Sequence, residues 1–290
     1  MLKGLFTAII TPFKNGKIDE NAFARLIEAQ IAGGVDGIVP CGTTGESPTL
    51  SHDEHNYLIE LAVSVVNNRI KIIAGTGSNC TREAISLTQK AENHKVSAAL
   101  IVAPYYNKPT KEGVYLHYKA ISDNSNVPII VYNVPSRTVV DISDEEIAKI
   151  AKLKNIVGVK DATGDLSRVR KLKKMVDKDF SILSGEDPSM VEFNKLGGDG
   201  IISVTANIVP SLCSSMQRLS EARDFNGAMR IQNDLLNLNK LLFANTNPIP
   251  IKYACYLADI CKNEFRLPLS EPDIELQKSL KEELIKLNII

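Results

Sequence analysis

Short apolar runs alternate with amphipathic stretches along almost the whole chain. Eight runs have strand length, at 5–11, 36–41, 71–75, 98–103, 128–133, 156–160, 180–184 and 200–204. Helical patterns lie between them. Ser51 with Glu54 three residues on forms a capping box that predicts a helix start, and Ser143 with Glu146 repeats it. In DLSRVRKLKKMV, 165–176, Leu166, Val169, Leu172 and Val176 recur three or four apart, the spacing of one helix face. Eight strand-then-helix units in series predict a parallel sheet, and eight is the number that closes a barrel. The expected fold is therefore α/β, a (β/α)8 TIM barrel over 1–223. An open doubly wound sheet is the alternative, but its dinucleotide fingerprint is missing. Gly75 and Gly77 lack the third glycine.

The eighth unit's helix is expected to end near 222. Residues 224–290 then read as a C-terminal helical extension, helical to the end. It includes 224–243, a stretch from about 249, and 273–286, punctuated by Pro248, Pro250, Pro268 and Pro272. No low-complexity linker separates it from the barrel, so it is expected to pack on it.

Composition narrows the function classes. Of 290 residues, 44% are hydrophobic, enough for a large core. Lys+Arg and Asp+Glu both total 34, which argues against nucleic acid as a partner, because phosphate binding needs uncompensated basic clusters. No run reaches the ~18 apolar residues of a membrane span. The start, MLKGLFTAIITPFKNG, reads as a first strand rather than a signal peptide. The five cysteines, Cys41, Cys80, Cys213, Cys255 and Cys261, are scattered and form no C-x-x-C, which suits a reducing cytoplasm. His52 and His55 stand three apart on an expected helix. No third ligand accompanies them, so no metal is expected.

Barrel active sites lie at the C-terminal ends of the strands. There this chain has CGTTGES (41–47), APYYNKP (103–109), VYNVPSRT (131–138), VGVKDATG (157–164), LSGED (183–187) and GIISVTAN (200–207). Lys160 follows IVGV in a strand expected to be buried on both faces. Burial disfavours an ammonium, so the neutral amine becomes accessible, and such an amine attacks ketones to give an imine. The competing reading pairs Lys160 with a neighbour such as Asp161. Tyr132, on the next strand, suits proton transfer or simply fills the barrel top. Thr43 and Thr44 offer hydroxyl links from such a phenol to solvent. GTTGES also offers backbone N–H groups to a carboxylate, unless it is only a glycine-rich turn. Arg137 suits a bidentate carboxylate clamp, or is a surface arginine.

GTTGES, APYYNKP, VYNVPSRT, GVKDATGD and ISVTAN, in this order and spacing, resemble the dihydrodipicolinate synthase and N-acetylneuraminate lyase superfamily. The resemblance covers essentially the whole chain. VPSRT and NPIPIKY (247–253) are similar to the synthase branch. That implies condensation of pyruvate with L-aspartate 4-semialdehyde, with no cofactor, because the imine itself is the electron sink. It implies Lys160 as the imine-forming residue, Tyr132 as general acid/base, and Thr43 and Tyr106 in its proton relay. Thr44 and Ile202 would bind pyruvate, Arg137 the semialdehyde carboxylate, and Gly185 would leave room. Family members are usually homotetramers, and Tyr106 would enter a neighbour's site. The positions matching an allosteric L-lysine site are Ser47, Pro48, His52, His55, Asn79, Glu83 and Tyr105. In that reading Glu83 faces the α-amino group, Asn79 the carboxylate, and His55 accepts from the side-chain amine. Pro48 departs from the small residue common there. The rival readings are a sibling aldolase or lyase acting on a sugar acid, a non-catalytic binding barrel, and a nicotinamide-dependent oxidoreductase.

Overall fold

The structure is a computed structural model that describes residues 1–290. Eight parallel strands close a barrel: β1 Gly4–Ala8, β2 Gly37–Val39, β3 Lys71–Gly75, β4 Ala98–Val102, β5 Ile129–Asn133, β6 Ile156–Asp161, β7 Ser181–Ser184 and β8 Gly200–Ser203. Each pairs with its neighbour in sequence, and β8 closes on β1 through Gly4↔Gly200 and Phe6↔Ile202. The connecting helices are α1 Glu20–Ala32, α2 His52–Val66, α3 Thr81–Asn93, α4 Lys111–Asp123, α5 Asp144–Ile150, α6 Ser167–Met175, α7 Met190–Lys195 and α8 Pro210–Glu221. Both capping boxes form at the expected places, Ser51/Glu54 on α2 and Ser143/Glu146 on α5. α6 buries Val169 and Leu172, while Leu166 and Val176 pack partly buried against the same core.

Because successive strand residues face opposite sides, the apolar residues fall into two clusters. Phe6, Ile130, Leu183 and Ile202 fill the barrel interior. Their chain neighbours Leu5, Ile129, Ile182 and Ile201 join the larger layer beneath the helices. Phe6 fits because β2 carries Gly37, where an added Cβ would stand 2.7 Å from the Phe6 ring.

Two expectations change. The first strand stops at Ala8, not at 11. Ile9 and Ile10 stay apolar because they are buried, not because the strand continues. Phe13–Lys14 and Lys17–Ile18 then make a small hairpin around Asn15–Gly16, both at positive φ (54° and 75°) as a tight two-residue turn requires. The extension contains α9 Phe225–Asp234, α10 Leu236–Leu242, α11 Ile249–Leu257 and α12 Ile274–Lys286. It is not helical throughout: 258–273 is irregular, and Pro268 and Pro272 cannot donate helix hydrogen bonds. No helix is long and apolar enough to cross a membrane.

Candidate active site

The register of β5 on β6 pairs Tyr132 with Lys160. Both therefore face the interior, where their neighbours Val131 and Val159 do not. Lys160 is 7% exposed, and its Nζ lies 4.2 Å from the centre of the Tyr132 ring. The same parity turns Asp161 outward. There its carboxylate accepts from Arg168 Nε at 2.9 Å and from Thr163, so it is not the partner of Lys160. Gly185 follows β7. A Cβ there would stand 3.0 Å from Lys160 Cε and 2.7 Å from Ala162 Cβ, so glycine leaves the space the lysine stem occupies.

The loop after β2 brings Thr43 and Thr44 to the same mouth. Gly45 N–H donates to Gly42 O and Glu46 N–H to Thr43 O, both at 3.1 Å, closing a compact turn. Thr44 is buried, and its Oγ1 accepts from Asn247 Nδ2 at 3.0 Å. Arg137 sits exposed on the short helical turn Pro135–Thr138 after β5. Its Nη2 donates to Asn247 O at 2.9 Å. Asn247, from the C-terminal extension, therefore touches residues expected to bind each of the two substrates.

Thr43, Thr44, Tyr132, Arg137, Lys160, Gly185 and Ile202 line one cavity of about 550 Å³. Thr43 and Tyr132 both reach it, with no hydrogen bond between them. Tyr106 is not in this cavity. It stands 93% exposed with φ 68°. Ser47, Pro48, His52, His55, Glu83 and Tyr105 line the same cavity further out, whereas Asn79 does not. Glu83 is already engaged, accepting from Ser78 and lying 2.7 Å from His52 Nε2. These contacts hold its carboxyl below the ordinary value, Ser78 contributing most. His55 donates through Nε2 to Gly75 O at 2.8 Å, so Nδ1 is the acceptor of the neutral ring, and burial shifts the ring towards that neutral form. No set of three His, Cys, Asp or Glu side chains converges as metal ligands.

Two neighbours of the site escaped the sequence reading. Glu186 lines the cavity, its carboxyl raised by burial and by Asp187, with Lys160 opposing. It belongs to LSGED, so the strand-end rule contained it without ranking it. Asn247 belongs to NPIPIKY in the extension, where no strand-end rule points.

The model of the dihydrodipicolinate synthetase family matches residues 1–287. A 4-hydroxy-tetrahydrodipicolinate synthase of Pelagibacter ubique is 50% identical over all of both chains. Among solved structures, a chloride-inhibited dihydrodipicolinate synthase from Acinetobacter baumannii complexed with pyruvate superposes with TM-score 0.98 and 43% identity over 100% of both chains. The dihydrodipicolinate synthase of Cyanidioschyzon merolae with lysine bound gives TM-score 0.95 and 32% identity, covering 99% of this chain and 98% of that one.

Proposed function

The chain belongs to the dihydrodipicolinate synthetase family, and we propose that its cavity condenses pyruvate with L-aspartate 4-semialdehyde through an imine on Lys160. The product, 4-hydroxy-tetrahydrodipicolinate, lies on the diaminopimelate route to lysine. The observation that carries the reading is the register that sets Lys160 beside Tyr132 inside the barrel, unpaired by any carboxylate. Lys160 Nζ attacks the pyruvate ketone, and water leaves as the imine forms. The protonated imine draws electrons from the methyl group, which loses a proton and leaves an enamine. The enamine carbon attacks the aldehyde, and the oxygen formed takes up a proton. The substrate's own amine then displaces Lys160, freeing the enzyme as the ring closes. Tyr132 moves the protons, with Thr43 linking it onward. Thr44 and Ile202 hold pyruvate, and Arg137, steadied by Asn247, takes the semialdehyde carboxylate.

Borohydride in the presence of pyruvate is expected to leave a reduced adduct on Lys160, read by peptide mass spectrometry. Label on another lysine, or none, would sink the assignment.

Tyr106 stands too far out to serve its own cavity, which supports its entering the site of a second copy in a homotetramer. A fully active monomer in sedimentation would exclude that role. L-lysine is expected to bind the outer part of the cavity, where Glu83 meets an amino group and His55 Nδ1 accepts from the other. Since Asn79 does not line the cavity, its contact to the ligand carboxylate would require a shift of the 77–80 turn. Titration with L-lysine should give partial inhibition that Glu83→Ala abolishes. Unchanged turnover at millimolar lysine would remove the site.

A further inference from the structure

Lys252 and Glu46 form an ion pair with neither side chain exposed to solvent, and the chemistry above uses neither. Glu46 ends the Thr43–Thr44 turn at φ 55°, a region that L side chains rarely occupy. Its N–H donates to Thr43 O at 3.1 Å, and its carbonyl accepts from Thr49 Oγ1 at 3.0 Å. One carboxylate oxygen meets Lys252 Nζ, and the other accepts from the Arg266 N–H at 3.4 Å.

The lysine is fixed from its own side. Its Nζ lies 4.1 Å from the Phe13 ring centre and 5.3 Å from that of Phe265. Arg266 locks the irregular segment down, donating to Glu54 at 2.6 and 2.7 Å and to Thr49 O at 2.9 Å. Glu264 accepts from Asn15 N–H at 2.8 Å. An apolar contact here would let the turn slide. A buried ion pair does not, since any separation leaves two charges unpaired where water cannot reach.

We propose that the Lys252–Glu46 pair is a positioning device for pyruvate recognition, through which the C-terminal extension sets the place of the Thr43–Thr44 turn in the barrel mouth. It rests on the reading that this turn receives pyruvate. Borohydride trapping on the wild-type chain tests that reading separately.

The decisive variant is Glu46→Leu with Lys252→Met, which replaces the pair by apolar groups and commonly leaves stability equal or higher. Its melting temperature should hold while kcat/KM for pyruvate falls about 10²-fold, the scale of a displacement near 1 Å. The semialdehyde KM should change much less, because Arg137 meets Asn247 O and touches neither member of the pair. Glu46→Asp keeps both charges and shortens the arm by one methylene. Should the double variant not fold, this one is expected to show the same split at about 10-fold. A folded variant with wild-type pyruvate kinetics overturns the proposal. So does one in which both substrates' KM values and the melting temperature worsen together, which marks a merely structural pair.

Discussion

The barrel mouth and the C-terminal extension each bury a lysine behind an apolar run, IVGVK at 156–160 and PIPIK at 248–252. The two sites are opposites. Lys160 has no carboxylate within ion-pair distance, one aromatic face at 4.2 Å and a cavity of about 550 Å³ before it. Lys252 meets Glu46, lies against two phenylalanine rings and does not line that cavity. Burial pushes the Lys252 ammonium towards the neutral form, while Glu46 opposes this. Burial alone therefore does not make a lysine a nucleophile. What separates them is whether a carboxylate closes on the amine. Strand parity sends Asp161 away from Lys160 to Arg168, whereas the turn at Glu46 brings its carboxylate onto Lys252.

The largest break of this contrast is Lys160→Met. Turnover should fall by about 10⁴-fold or more, with the melting temperature unchanged or raised because a buried amine that makes no ion pair is replaced by an apolar side chain of similar length. A marked loss of stability would show that Lys160 is a paired structural lysine after all. Next in size is Tyr132→Phe, which gives Lys160 the kind of phenyl face that Lys252 has from Phe13. A loss of about 10²–10⁴-fold in turnover is expected with the fold intact. Wild-type turnover in the folded variant would remove Tyr132 from the proton transfers.

Lys252→Met alone should act on stability, since it strands Glu46 in the interior. The expected loss is about 3–5 kcal/mol in urea unfolding, and an unchanged unfolding midpoint would mean that the pair is not the closed, unhydrated contact described above. The smallest effect concerns the outer part of the clamp. Arg266 holds the Glu54 carboxyl down at about 2, against an ordinary 4.5. Between those values the unfolded chain binds more protons than the folded one. Glu54 thus adds stability that is complete above its ordinary value and is lost as pH falls towards about 2. In Glu54→Gln the stability profile should be flatter across that window. Identical profiles in melts from neutral to acid pH would deny Glu54 that share.

Much of the barrel is legible in the sequence because each strand and helix is specified locally. Ser51/Glu54 and Ser143/Glu146 announce helix starts by chemistry confined to four residues. The Asn15–Gly16 hairpin was equally legible, but the apolar run before it hid the strand end. Pro268 and Pro272 punctuate the extension in the sequence, but they do not announce that the whole of 258–273 is irregular. The strand-end rule gathers Lys160, Tyr132, Thr43, Thr44, Arg137 and Gly185, since parallel strands deliver their C-terminal ends to one face. Asn247 and Lys252 fall outside that rule. Their contacts cross 203 and 206 residues of chain to Thr44 and Glu46, and no periodicity encodes such a distance.

The sequence by itself determined the barrel, the strand that carries Lys160 and the family to which the chain belongs, because strand period, caps and motif order are properties of neighbouring residues. Only the tertiary structure decided which buried lysine is paired. It also decided that the extension reaches into the mouth. Those outcomes depend on which side chains meet across the closed barrel and within the packed extension, and so on distances that no local stretch of chain contains.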